Sequence, residues 1–267
     1  MIPNPQLIRY STILHEELPP LVWDVEPLIS RGDRVVIFGE FASMKSWLGY
    51  SLMLHLGAGQ SWLGCFPVPE RRRPLYIDEE MNERTLRRRI KRLGMGAGIM
   101  DAPDLVFLSR AGVYFDGFGA GSLLSHLQRL HYSPQVILVD ALRRVLPGDE
   151  NEAKDVAAFW RHLEPLSRLG ITVVVMHHMN KPPVQGKRSA RYRASGSTDI
   201  LAGSDASFAV ERLSGGQARV TAIKARDNEE LPPFVVELDD AGDRQGPITL
   251  RLVEGAGVEA EAFGLPT

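Results

Sequence analysis

The sequence of 267 residues is short of several features, and each shortage excludes a class of protein. A single cysteine, Cys65, excludes an internal disulfide framework and suits a reducing compartment. No apolar run approaches the roughly 20 residues that a membrane-spanning helix needs. The first residues, MIPNPQLIRY, lack the plan of a secretion signal. We therefore expect a cytoplasmic protein that does not enter a membrane.

The chain also carries little net charge. Its formal value is −2 at pH 7, so any contact with a polyanion must come from a local basic patch. The hydrophobic content of 44% is that of an ordinary globular protein, and the length allows one large domain, or one domain with a small appendage, with a substantial core.

The hydrophobic pattern predicts strands that alternate with helices. Continuous apolar runs lie at 34–38, 75–78, 105–109, 135–141 and 171–178, and a helical pattern follows each of the first four. In one of these helices, NERTLRRRIKRLG, the apolar residues share a face and Gly94 is the expected end. Because strands that are apolar throughout are buried on both sides, this pattern predicts a parallel sheet with helices on both faces.

The pattern changes near residue 205. The runs ASFAVERL and ARVTAIKAR flank Gly215-Gly216, which predicts an antiparallel hairpin, and two short strands are predicted at 234–238 and 248–253. The boundaries that we expect are a lead-in segment at 1–30, a main domain at 31–255 and a loose tail at 256–267.

The turn after the first strand predicts a phosphate-binding loop. Its sequence, GEFASMKS, fits G-x-x-x-x-G-K-[ST] except that methionine replaces the second glycine. Backbone N–H groups at the start of the following helix would hold a polyphosphate, with a lysine charge on the outer phosphates and a hydroxyl on Mg²⁺. The candidate nucleotide-binding residues are Gly39, Glu40, Phe41, Ala42, Ser43, Met44, Lys45 and Ser46.

Met44 is the departure from the usual loop. We expect residue 44 to lie at the entry of a right-handed helix, where a side chain that points outward need not violate φ/ψ limits. Methionine is also unbranched and flexible, so nucleotide binding should survive. The alternative is that GEFASMKS is only a junction between a strand and a helix.

Polar side chains lie at the C-terminal ends of three more of the predicted strands. They are Asp140, the acidic group Asp78, Glu79 and Glu80, and the pair His177 and His178. Ligands bind at the C-terminal edge of such sheets, where these groups could hold Mg²⁺, activate a water and contact a terminal phosphate. Taken singly, they could instead cap helices or form a solvated turn. The histidines could also bind a metal, although no matching Cys, Asp or Glu set has ligand spacing.

The whole pattern resembles the RecA-like ATPases, and specifically the plasmid RepA-type group of hexameric helicases. The matching stretches are LVWDVEPLISRGDRVVIFGE, GAGQSWLGCFPV, LYIDEEM, VILVDALRRVLPGDENEAKDV, VMHHMNK, RASGSTDILAGSDASFAV and IKARDN, which cover roughly residues 20–228. The resemblance implies an α/β RecA-like P-loop NTPase fold. Its mostly parallel twisted sheet would be flanked by helices and carry C-terminal antiparallel hairpin strands.

The resemblance also implies a function and roles for single residues. It implies a helicase or translocase that uses ATP and Mg²⁺, forms a hexameric ring, and acts on single-stranded DNA with possible replication partners. Lys45 would be catalytic, Ser46 and Asp140 would bind the metal ion, Glu80 would be the catalytic glutamate rather than Glu79, and His178 would sense the terminal phosphate.

Two further roles are implied by the motif KARDN. Lys224 and Arg226 match a K-x-R pair that ring-forming relatives insert into the neighbouring subunit's ATP site. The guanidinium would stabilise charge on the transferred phosphoryl group. Spacing alone would favour solvated strand ends for both residues.

A basic stretch follows the two histidines. No Asp or Glu occurs from Pro165 to Thr198, while KPPVQGKRSARYR is strongly cationic and includes one tyrosine. In RecA-like relatives the corresponding loop faces the channel and holds single-stranded DNA, and a cationic loop with an aromatic residue suits this contact. The candidates are Lys187, Arg188, Arg191 and Arg193.

Two alternative functions remain open at this point. Met44 could slow hydrolysis so far that ATP acts as an assembly switch, as in a regulatory or replication-initiation protein of a mobile element. The chain could also be a recombinase-like ATPase that forms filaments.

Overall fold

The computed structural model describes residues 8–17, 20–178, 198–225, 231–240 and 242–253. The predicted tail at 256–267 lies outside them. Among the described residues, none of the helices combines the length and the apolar composition needed to cross a membrane.

The predicted strands and helices occur in the predicted order, and short strands and helices that the pattern did not predict accompany them. The strands are β1 (Trp23–Val25), β2 (Ile29–Ser30), β3 (Arg34–Gly39), β4 (Pro74–Asp78), β5 (Val106–Ser109), β6 (Val136–Asp140), β7 (Thr172–His178), β8 (Ala206–Arg212), β9 (Gln217–Ala225), β10 (Phe234–Asp240) and β11 (Ile248–Leu252). The helices are α1 (Tyr10–His15), α2 (Lys45–Ala58), α3 (Glu83–Ala97), α4 (Gly119–Arg129), α5 (Leu142–Val145), α6 (Ala153–Arg168) and α7 (Thr198–Gly203).

In the described part of the chain, nine strands form one sheet in the order β11-β10-β9-β8-β3-β7-β6-β4-β5. Strands β3 to β7 pair in parallel, and β8 also lies parallel to β3. Strands β8 to β11 pair with one another antiparallel, as the hairpin at Gly215-Gly216 predicts. The predicted fold class is therefore confirmed.

The sheet separates two hydrophobic cores because successive residues of a strand face opposite sides. On β3, Val35 and Ile37 join the core beneath α2 and α3. Val36 and Phe38, on the same strand, join the core beneath α4, α5 and α6. All residues of β4 and β6 are buried, as expected for strands that are covered on both faces.

Helix α3 does not end at Gly94 as predicted. It continues to Ala97 and ends at Gly98, which has a positive φ of 66° and donates its N–H towards the carbonyls of Gly94 and Met95. A glycine inside this helix has a packing role instead, because a Cβ atom at Gly96 would lie 2.0 Å from the carbonyl oxygen of Ile248. The amphipathic pattern alone does not distinguish between these glycines.

The strand register brings the predicted polar groups to one edge of the sheet. Gly39 at the end of β3 is paired with His178 at the end of β7. Asp78 at the end of β4 is paired with Asp140 at the end of β6. The C-terminal ends of four neighbouring strands thus lie together.

Candidate functional site

The loop from Gly39 to Ser46 joins β3 to α2 and requires glycine at its first position. A Cβ atom at Gly39 would lie 2.3 Å from the carbonyl oxygen of Val210 on β8 and 2.7 Å from Ser43 Oγ. Neither the strand nor the loop leaves room for a side chain. The tip of the loop is open, since the Phe41 side chain is 84% exposed.

Lys45 lies inside this loop, where it is 4% exposed. Its Nζ donates hydrogen bonds to the carbonyl oxygens of Gly39 at 2.8 Å and Glu40 at 2.7 Å, and it lies 3.3 Å from Ser43 Oγ. Burial lowers the pKa of Lys45 to about 8, although nearby Asp140 and Glu80 oppose this change. Ionised acceptors bind an ammonium more strongly than carbonyls do, so a phosphate could replace these contacts.

Met44 has a backbone conformation that differs from the one expected. It has φ 73° and ψ 10°, in the left-handed region, and it directly precedes the first residue of α2. The expectation of a right-handed conformation at this position was therefore wrong. The conformation costs an L-residue roughly 1–2 kcal/mol, which explains why the usual loop has glycine here. The Met44 side chain is partly buried and packs against the core beneath α2, which offsets part of this cost.

Ser46 and Asp140 offer oxygen ligands next to the loop. Asp140 is 4% exposed and accepts a 2.8 Å hydrogen bond from the hydroxyl of Tyr76. Burial raises the pKa of Asp140, the neighbouring carboxylates of Asp78 and Glu80 raise it further, and a hydrogen bond with Ser46 opposes the rise. A cation at this position would offset the cost of burying the negative charge of Asp140, and Mg²⁺ prefers carboxylate and hydroxyl oxygens as ligands. These residues therefore fit Mg²⁺.

Glu79 and Glu80 follow β4, but their environments differ. The Glu79 carboxylate accepts hydrogen bonds from the backbone N–H groups of Gly112 at 3.2 Å and Val113 at 3.0 Å. Glu80 Oε1 lies 3.4 Å from His178 Nε2. The hydrogen bond from His178 lowers the pKa of Glu80, and Arg144 and Lys45 lower it less strongly. Glu79 thus holds a loop in place, whereas Glu80 is an ionised carboxylate at the phosphate loop.

The two histidines at the end of β7 face different surroundings. The ring of His178 lies 6.1 Å from that of Phe41, between the loop and Glu80. His177 is buried, and neither of its ring nitrogens has a hydrogen-bond partner among the described residues. Its Nδ1 lies 3.7 Å from Glu150 Oε2, and burial lowers the pKa of His177 to about 4. Within the described residues no three or more His, Cys, Asp or Glu side chains come together in a group that could hold a metal ion, so the alternative of a histidine metal site gains no support.

Lys224 lies near the end of β9, and its ammonium contacts α7 of the same chain. Its Nζ donates to the carbonyl oxygens of Leu201 at 2.9 Å, Ala202 at 3.0 Å and Ser204 at 2.5 Å. Carbonyls at a helix C-terminus favour a cation, so Lys224 stabilises the end of α7.

Several predicted residues fall in parts of the chain that the structure does not describe. They are Arg226 and the four DNA-contact candidates Lys187, Arg188, Arg191 and Arg193. Their roles stay predictions.

The structure also places residues at the site that the sequence interpretation overlooked. Tyr50 and Tyr76 donate hydrogen bonds to Asp78 and Asp140, and the Arg110 guanidinium donates to the carbonyl oxygen of Glu80. The tyrosines belong to apolar runs, which indicate core packing and give no direction for the hydroxyl groups. A signal for Arg110 was available, because it directly follows a predicted strand beside the acidic turn.

A mostly parallel sheet with antiparallel C-terminal strands, together with a phosphate loop between β3 and α2, defines a RecA-like P-loop ATPase. A model of the AAA domain family matches residues 8–184, and the chain belongs to this family. No curated protein matches the chain.

Solved structures of the same fold include a replicative helicase. A DnaB-like replicative helicase, described with its interactions with primase, has a TM-score of 0.61 at 14% identity. The match covers 82% of this chain but 59% of that helicase. A structure described as an ATPase domain gives the same TM-score and identity, with 82% of this chain and 85% of that chain covered.

A third similar structure belongs to a different cellular system. The flagellar accessory protein FlaH from Methanocaldococcus jannaschii has a TM-score of 0.53 at 15% identity, with 84% of this chain and 91% of that chain covered. At these identities the likeness to all three structures shows the RecA-like fold.

Proposed function

We propose that the protein is a cytoplasmic Mg-ATP-dependent ATPase that assembles as a hexameric ring and moves along single-stranded DNA, as a helicase or translocase of the RepA type. The observation that carries this proposal is the convergence of four strand ends on one loop. The Lys45 ammonium, the Ser46–Asp140 pair and the Glu80–His178 pair meet at this edge. The likeness to a DnaB-like replicative helicase supports the choice of a DNA motor.

Each residue has a chemical role in this proposal. The N–H groups of the loop and Lys45 would bind the phosphates, while Ser46 and Asp140 would hold Mg²⁺, which neutralises charge on the phosphates when bound. Glu80 is ionised and would orient the attacking water and accept its proton. His178, 3.4 Å from Glu80, would orient that carboxylate and respond to the terminal phosphate.

Assembly would complete the site through the segment that follows β9. Arg226 would enter the neighbouring subunit's site and stabilise the transferred phosphoryl group. Lys224 binds α7 of its own chain. We therefore assign it the role of holding the end of β9, from which this segment continues, against α7. The basic segment at 179–197 precedes α7 in the sequence and would contact DNA through Lys187, Arg188, Arg191 and Arg193.

Adjacent glutamates provide a matched test of the catalytic assignment. Glu80→Gln should abolish hydrolysis while the protein still binds ATP, because the amide cannot accept the proton of the water. Glu79→Gln keeps a carbonyl oxygen for the loop amides and should hydrolyse ATP at a rate close to that of the unmodified protein. Equal loss in both variants, or activity in Glu80→Gln, would remove Glu80 from the mechanism.

The DNA-binding role is tested by ATP hydrolysis with and without single-stranded DNA. We expect stimulation by DNA, and loss of that stimulation when Lys187, Arg188, Arg191 and Arg193 are changed to alanine. The matched control removes four positive charges from α3, which are Arg84, Arg87, Arg88 and Lys91. If the control loses stimulation equally, net charge rather than the basic segment explains the effect.

A second candidate function is an ATP-dependent assembly switch with slow hydrolysis. The observation that favours it is the left-handed backbone of Met44, next to a lysine that is fully engaged by its own loop. A switch would retain unhydrolysed ATP after purification and show no stimulation by DNA. Electron microscopy with an ATP analogue separates closed rings from the filaments of a recombinase-like protein.

A further inference from the structure

Two buried tyrosines lie beneath the phosphate loop and have no role in the mechanism so far. Tyr50 belongs to α2 and Tyr76 to β4, and their ring centroids are 4.8 Å apart. Each hydroxyl donates to a different carboxylate. Tyr50 Oη lies 2.8 Å from Asp78 Oδ2, and Tyr76 Oη lies 2.8 Å from Asp140 Oδ2.

The two carboxylates are neighbours in the sheet. Asp78 and Asp140 are register partners on β4 and β6, and both are buried. Negative charges on neighbouring residues of a sheet repel each other, and burial removes the water that would otherwise solvate them. Each carboxylate therefore needs a hydrogen-bond donor from the protein. The two neighbouring tyrosines supply one donor to each carboxylate.

Asp78 shapes the turn that carries Glu80. Its Oδ1 accepts the backbone N–H of Glu80 at 3.0 Å and of Met81 at 2.7 Å, while its Oδ2 accepts the Tyr50 hydroxyl. Arg110 donates to the carbonyl oxygen of Glu80 at 2.8 Å from the other side. The path from Tyr50 to Glu80 therefore consists of two hydrogen bonds through one buried carboxylate.

Helix α2 connects this path to the phosphate loop. The helix begins at Lys45, and Ser46 and Tyr50 lie within its first six residues. A Cβ atom at Gly49 would lie 2.5 Å from Met176 Cε and 3.1 Å from Leu138 Cδ1, so glycine lets α2 approach the sheet closely beside Tyr76. A shift of α2 would reach Asp78 through Tyr50 and Asp140 through Ser46, because each of these α2 side chains hydrogen-bonds one carboxylate.

We propose that Tyr50 and Tyr76 are positioning residues for ATP hydrolysis, with separate tasks. Tyr50 acts through Asp78 and holds the turn of Glu80 at a fixed place relative to the phosphate loop. Tyr76 holds Asp140 in the orientation that receives Mg²⁺. This inference rests on the proposed function and adds two positions to its site.

The test compares Tyr50→Phe and Tyr76→Phe, which each remove one hydroxyl and keep the ring. Tyr50→Phe should lower kcat about tenfold and leave nucleotide affinity unchanged. Tyr76→Phe should raise about tenfold the Mg²⁺ concentration needed for half-maximal binding of a fluorescent ATP analogue, because groups that orient a metal ligand tune metal affinity. The matched control is Tyr132→Phe, whose hydroxyl bonds the carbonyls of Pro74 and Asp104 away from the site.

Hydrogen exchange gives a measurement that needs no hydrolysis. The amides of Glu80 and Met81 should exchange faster in Tyr50→Phe than in the unmodified protein. In Tyr132→Phe their exchange rates should be unchanged. A second pair tests the same path with Tyr50 intact: Asp78→Asn keeps an acceptor for these amides, and Asp78→Ala does not. We expect the kcat of Asp78→Asn to lie between those of the unmodified protein and Asp78→Ala.

The outcomes separate this inference from the proposed function. If the unmodified protein hydrolyses no ATP, the proposed function fails, while hydrogen exchange still decides the role of Tyr50. Unchanged kcat and unchanged exchange in Tyr50→Phe would overturn its role. Unchanged Mg²⁺ dependence in Tyr76→Phe would overturn the second role. Equal effects in Tyr132→Phe would assign both results to general stability and overturn the inference.

Discussion

Substitution of Met44 tests how a non-glycine residue is accepted in this loop. At φ 73° the left-handed backbone costs methionine roughly 1–2 kcal/mol, which glycine avoids. Glycine lowers the free energy of unfolding by roughly 0.5–1 kcal/mol because it gives the unfolded chain more freedom. The lost packing of the partly buried thioether lowers it by a further amount on the order of 1 kcal/mol. These terms nearly cancel, so Met44→Gly should change the free energy of unfolding by less than about 1 kcal/mol.

Valine at the same position gives the opposite case. A β-branched residue is an outlier in the left-handed region. Met44→Val should therefore lower the free energy of unfolding by about 1–3 kcal/mol relative to the unmodified protein and distort the loop. Urea unfolding measures the stability, and titration with a fluorescent ATP analogue measures the affinity. We expect Met44→Gly to bind within about threefold of the unmodified protein and Met44→Val to bind at least about tenfold more weakly. If valine binds as well as methionine, the left-handed conformation is not required for nucleotide binding.

Three further predictions concern other parts of the site. His177, whose pKa is lowered by burial to about 4, is neutral in the folded protein. Above the ordinary histidine pKa of about 6.5, the neutral ring of His177 costs the folded state nothing. As the pH falls towards 4 the unfolded chain binds a proton that the folded protein does not, so the free energy of unfolding decreases by up to about 3 kcal/mol. His177→Phe should therefore unfold in urea with a weaker pH dependence between these values, and an unchanged dependence would contradict the cause given. Gly39→Ala should abolish nucleotide binding in a titration, because its Cβ would meet the carbonyl oxygen of Val210; retained affinity would show that β8 can yield. Lys224→Met should lower the free energy of unfolding by about 1–2 kcal/mol through the lost contacts with α7, and no change in urea unfolding would favour a role outside its own chain.

The sheet was predictable from the sequence because its buried strands are continuous apolar runs. The runs at 34–38, 75–78 and 135–141 became β3, β4 and β6, and no end of these strands differs from the predicted end by more than one residue. Parallel order then brought the following polar residues to one edge. The glycine pattern was less informative, since several glycines in and after α3 fit the sequence signal for a helix end.

The details of the site depended on tertiary contacts that no pattern specifies. The φ of Met44 is imposed by the connection between β3 and α2, so the expectation for a residue at the entry of a helix gave the wrong region. The ammonium of Lys224 contacts α7 because β9 lies beside it, and the motif KARDN carries no information on that helix. Tyr50 and Tyr76 look like core residues, and only the packing of α2 on β4 shows which carboxylates their hydroxyls meet.

The measurement that tests the central claim most directly is a calorimetric titration with a slowly hydrolysed ATP analogue, with and without Mg²⁺. The loop with Met44 should bind one nucleotide per chain in the presence of Mg²⁺, and Lys45→Ala should bind none. The absence of binding by the unmodified protein, or equal binding by Lys45→Ala, would contradict the assignment of this loop as the nucleotide site.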